Sequence, residues 1–139
     1  MTILDDSSYP AIRAAIDLSL DSTALPDATI ALPIFLDAAD LEVKARDPLW
    51  ATRMDDELTQ LTNAAIYLTA ARIAPALPRL LGETFGDYRY QLQAVDMEAR
   101  ASALRSLADA ALDSYLDVDD LTTDRPGKFA VASGRRGRW

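Results

Sequence analysis

The chain has 139 residues, enough for one compact domain with its own core, and half of them are hydrophobic while only five are Gly. It contains neither Cys nor His, which excludes disulfides, thiolate and imidazole metal ligands, cysteine nucleophiles and the usual general base. Charge is divided by position: residues 1–124 hold 9 basic and 22 acidic side chains, a net of −13, whereas residues 125–139 hold five basic and no acidic ones.

Ser8 is placed to cap a first short helix with Tyr9 and Pro10 just inside it, and Ile12 and Ile16 supply a narrow apolar stripe. Residues 19–26 read as a loop. Pro26 and Pro33 each suit the first turn of a helix, so 27–31 is expected to form one turn and 33–46 a full helix whose core face is Leu32, Phe35, Leu36, Ala39 and Val43. Asp47-Pro48 ends it, because proline drives the preceding residue out of the helical region.

A third helix is expected to start within 48–55 and run to about Ala74, with Asp55, Asp56 and Glu57 at its positive dipole end. Leu58, Leu61, Ala65 and Leu68 form one stripe, with Ile66, Ala70, Ile73 and Leu77 beside it, a width that implies more than one neighbour. Pro75 and Pro78 kink or end this helix. Residues 82–93 carry two glycines and the aromatics Phe85, Tyr88 and Tyr90, and alternate in polarity over 88–93, the pattern of a short extended segment seeking a partner strand or another chain. Asp96 is placed to cap a last helix that carries Met97, Ala101, Leu104, Ala108, Ala111 and Tyr115 at helical spacing and ends near Leu116. The fold class expected is all-α: a small four-helix bundle over residues 1–117, with a short extended segment and an extended C-terminal tail over 118–139.

Chemical motifs are sparse. Asp55, Asp56 and Glu57 are consecutive on a helix and diverge, so they read as helix-start electrostatics rather than a cation site. Asp117, Asp119, Asp120 and Asp124 imitate the start of a calcium loop, but Thr122 stands where glycine is needed and Lys128 where the last carboxylate is needed. The five glycines match no phosphate or dinucleotide fingerprint. No catalytic centre, metal or cofactor is expected. Apolar stretches end well short of the ~20 residues of a membrane span, and Asp5 and Asp6 stand where a basic export signal would begin, so a soluble protein is expected.

Several runs resemble the head-to-tail adaptor (head-completion) proteins of tailed bacteriophages and gene transfer agents. They are Leu25-Pro26-Asp27-Ala28-Thr29-Ile30, Phe35 to Val43 followed by Asp47-Pro48, Asn63 to Arg72 with Ala74-Pro75, and the Leu104-Arg105-Ser106-Leu107-Ala108 pattern, across about residues 10–117. The resemblance implies a virion protein of the neck, assembled in the host cytoplasm as a ring, usually of twelve copies. Such a ring binds beneath the portal protein, extends the channel through which double-stranded DNA passes, and offers a platform to the next tail or neck component. It also implies that the C-terminal segment reaches out to dock on the portal, which assigns that role to Arg125, Lys128, Phe129, Val131, Arg135, Arg136, Arg138 and Trp139. Phe85, Tyr88 and Tyr90 read either as a small satellite core or as subunit contacts, and in a ring they are the expected subunit contacts, because aromatic side chains are enriched at interface centres. Two other classes stay open: a nucleic-acid-binding protein using the basic end, and a regulatory helical interaction module.

Overall fold

The computed structural model describes residues 2–16, 20–81 and 96–123, the last seven of these by backbone alone. Every regular element among the described residues is helical: α1 (Tyr9–Ile16), α2 (Asp27–Ile30), α3 (Ala38–Arg46), α4 (Asp55–Ile73), α5 (Leu77–Leu81) and α6 (Met97–Thr123). Short turns of other pitch lead into them. A 3₁₀ turn (Asp6–Ser8) precedes α1, a π-helical turn (Pro33–Asp37) precedes α3, and 3₁₀ turns at Trp50–Thr52 and Ala74–Ala76 flank α4.

Local chemistry accounts for the boundaries. Asp5, rather than Ser8, opens the N-terminal helical segment, its Oδ1 accepting from the Ser7 N–H at 3.0 Å. Asp96 caps α6 as its position predicts, accepting from the N–H groups of Glu98 and Ala99 at 3.0 and 3.1 Å. Pro75 cannot donate to the α-helical ladder, and the chain tightens into a 3₁₀ turn there before α5 resumes. α6 continues seven residues beyond the expected end at Leu116, through Thr123. Neither Pro nor Gly occurs between Leu116 and Pro126, so each added residue gains a backbone hydrogen bond with nothing to stop it.

α4 lies at the centre, packed most extensively on α6 and also on α1 and α3. The meeting faces are rich in alanine: Ala64, Ala65, Ala70 and Ala71 on α4 and Ala101, Ala108 and Ala111 on α6 are all buried. Small side chains let the two axes approach closely, while Leu61, Leu68, Ile73, Leu104 and Leu112 fill the spaces between them. All six core positions read from the spacing of α6 are buried. Two expected core residues are not: Leu32 and Leu58 are 42% and 44% exposed. Leu32 stands outside the helix as an extended N-terminal cap (ψ 140°), so the helical stripe does not carry it inward. Leu58 lies in the first turn of α4, which begins only at Asp55.

Polar contacts tie the periphery to this centre. Buried Arg13 of α1 donates from Nε to the Leu25 carbonyl at 2.8 Å and pairs with Asp27, holding the 20–27 segment against α1. Arg100 of α6 donates to the Ile16 carbonyl at 2.8 Å, satisfying the open C-terminal end of α1. Glu42 of α3 accepts from Arg72 of α4 at 2.9 Å and Arg105 of α6 at 3.1 Å, and Arg46 pairs with Asp109 and, at 3.5 Å, with Asp113.

Candidate functional site

The break after α3 builds the most polar part of the interior. Pro48 ends the helix and turns Asp47 inward, where its side chain is fully buried and its Oδ1 accepts from the Leu49 N–H at 3.2 Å. Arg53, carried by the stretch between the Trp50–Thr52 turn and α4, meets it with two parallel bonds, Nε to Oδ2 at 3.0 Å and Nη2 to Oδ1 at 2.9 Å. Tyr115 of α6 donates its hydroxyl to Oδ2 at 2.6 Å. The guanidinium carbon lies 4.7 Å from the centroid of the Tyr115 ring, and Nη1 lies 3.6 Å from the Glu57 carboxylate.

These contacts set the protonation states. Burial pushes the Asp47 carboxyl up, but the hydrogen bonds from Arg53 and Tyr115, the Arg53 charge and the Leu49 N–H outweigh it and hold the group below its ordinary value. The Tyr115 phenol moves upward, first through burial and then through its bond to Asp47 and that carboxylate's charge. Both oxygens of Asp47 are occupied by donors of the protein itself. The chemistry of the cluster is therefore that of a clamp joining the α3–α4 connection to α6.

A surface cavity of about 250 Å³ opens beside this clamp, lined by Thr2 and Ile3, by Trp50, Ala51 and Arg53, and by Leu58 and Leu61 of α4. Its walls are cross-braced, since Asp40 accepts from the Ile3 N–H at 2.7 Å and pairs with Lys44 at 2.7 Å, and the Lys44 ammonium sits 4.2 Å over the Trp50 ring. Leu49 and Met54, exposed by 57% and 69%, flank the same stretch of chain. A second set of exposed apolar groups, Ile34 and Leu41 at 62% and 68%, stands on the outer side of the Pro33–Arg46 helical run.

The expected docking residues Arg125, Lys128, Phe129, Val131, Arg135, Arg136, Arg138 and Trp139, and the expected contact residues Phe85, Tyr88 and Tyr90, lie outside the described residues. So does the expected extended segment over 82–93. Asp55, Asp56 and Glu57 occupy the first turn of α4, as their reading as helix-start charges requires. Asp55 takes φ 57°, a left-handed conformation that Asp tolerates better than most side chains. Asp117, Asp119 and Asp120 lie on helical backbone, so the part of the expected extended tail from 118 to 123 is helix instead. Among the described residues no group of three acidic side chains is placed to hold a metal ion, and no helix is long and apolar enough to cross a membrane.

Sequence reasoning missed the clamp. Asp47 and Tyr115 are 68 residues apart, and the available signals were an acid placed inside a proline break and a tyrosine on the core stripe of α6. It also missed Ile34 and Leu41, which no described residue covers on that side of the Pro33–Arg46 run. Comparison with family models, with curated proteins and with solved structures yields no match for this chain.

Proposed function

We propose that the chain is the repeating subunit of a ring-shaped head-to-tail adaptor of a tailed bacteriophage or gene transfer agent. In this reading it sits in the neck beneath the portal, extends the DNA channel and receives the next tail component, working by assembly and not by catalysis. Its body is a four-helix bundle of α1, the Pro33–Arg46 run, α4 and α6, joined by the short helices. The observation that carries the reading is the pair Ile34 and Leu41, two large apolar side chains exposed by 62% and 68% on the Pro33–Arg46 run. Exposed apolar groups of this kind are supplied with a covering by contact between protein surfaces. The net −13 of residues 1–124 supports the reading independently, because a channel wall must let DNA slide past without binding its phosphates. The resemblance over residues 10–117 supplies the identity of the assembly.

Mass photometry of the purified chain, alone and with a portal protein from the same source, tests the proposal. A large closed ring in either sample is the expected result. A chain that stays monomeric with the portal present overturns it. The basic block after residue 124 favours a second reading, nucleic-acid binding, and salt-sensitive DNA binding that disappears when 125–139 are deleted would select it.

A further inference from the structure

The cavity beside the clamp combines three properties that bear on one particular occupant. It is small: about 250 Å³ lies below the ~300–1,000 Å³ of small-molecule pockets and suits one or two side chains of a peptide. Its apolar lining combines buried Leu61, half-buried Trp50 and Ile3, and Leu58, which is 44% exposed. Acidic residues neighbour its lining along the chain: Asp55, Asp56 and Glu57 precede Leu58 in the first turn of α4, and exposed Asp5 and Asp6 follow Thr2 and Ile3. The cations nearest it, Lys44 and Arg53, are engaged by Asp40 and by Asp47 with Glu57.

The chain itself supplies a segment of opposite character. Residues 125–139 hold five basic and no acidic side chains, with Phe129, Val131 and Trp139 among them. Reach is also suitable. Arg53 lines the cavity and touches Tyr115, and α6 runs on for eight residues after Tyr115, ~12 Å at a helical rise. The six residues from Thr123 to Phe129 span up to ~20 Å when extended, enough to return to the cavity.

We propose that residues 125–139 dock on this cavity of their own molecule before assembly, seating Phe129 against Leu58 and Trp50 and setting Arg125 and Lys128 against the acids of the first turn of α4. The proposal goes beyond the adaptor reading and does not depend on it, since it concerns the isolated chain. In an adaptor, a segment held this way would be withheld from its partner until that partner displaced it.

The absence of cysteine makes the test direct. In the full chain, the pair Leu58→Cys and Val131→Cys is compared with the pair Ala110→Cys and Val131→Cys. Ala110 is exposed on α6 and ~20 Å back from Thr123, within range of an unbound tail. Each variant is first checked for wild-type helicity. Docking predicts that the Leu58 pair closes an intramolecular disulfide ~tenfold faster than the Ala110 pair, through its higher effective concentration. Adding Phe129→Ser, or Asp55→Lys with Asp56→Lys, should remove that difference. Equal rates for the two pairs overturn the proposal. Fast closure that yields covalent dimers also overturns it, by giving the cavity to the segment of a second copy.

Discussion

Replacing Asp47 by Asn tests whether the buried clamp holds the α3–α4 connection to α6. The substitution keeps the shape of the side chain but removes the charge that faces Arg53, whose side chain is only 6% exposed. An amide also cannot accept from two guanidinium nitrogens and the Tyr115 hydroxyl as the carboxylate does. Breaking a buried ion pair from one side costs about 3–5 kcal/mol. Glu57 at 3.6 Å and the Tyr115 ring still face the guanidinium, so the lower end applies and the expected loss is ~3 kcal/mol. For a chain of this size that is roughly 10 °C in melting temperature. Urea unfolding followed by helical circular dichroism measures it, and a cycle with Arg53→Met separates the pair from its surroundings. The double variant should be clearly more stable than the sum of the single losses predicts, because removing Arg53 relieves the unpaired charge. A loss below ~0.5 kcal/mol for Asp47→Asn, or strictly additive losses, would refute the buried coupling.

Leu61→Asp and Leu104→Asp each place an unpaired carboxylate at a position no more than 3% exposed, and each should abolish cooperative unfolding; retained wild-type melting would show that the α4 and α6 faces are wrong. Stability should also fall at both ends of the pH scale. The lowered Asp47 group contributes fully above the unfolded carboxyl value near ~4 and loses its contribution as pH drops through the still lower folded value. The raised Tyr115 group contributes below ~10 and is lost as pH climbs above that, so Tyr115→Phe should flatten the alkaline limb of a stability profile and, by removing one of the hydrogen bonds that lower Asp47, weaken the acid limb while Arg53 still maintains part of it. Leu41→Asp, on a side chain 68% exposed, should change the melting temperature of the monomer little yet prevent ring formation; rings that form normally would remove α3 from the subunit contact.

The helical fold was legible because it rests on short-range rules. Spacing alone identified six buried residues of α6 between Met97 and Tyr115, though not the fully buried Leu112, Asp96 marked its start, and Asp47-Pro48 marked the end of α3, each a consequence of backbone geometry within a few residues. Periodicity says which residues share a face, not whether anything covers that face. Leu58 shares a stripe with Leu61 and remains half in water, because α4 begins too late for a neighbour to close over its first turn. Ile34 and Leu41 are left exposed because, among the described residues, nothing packs on the outer side of the Pro33–Arg46 run. The clamp is the clearest case: whether Asp47 is a solvated helix terminator or a buried acceptor depends on the arrival of Tyr115 from 68 residues away. Only the antiparallel packing of α6 on α4, set by their alanine faces, brings that hydroxyl to the proline break.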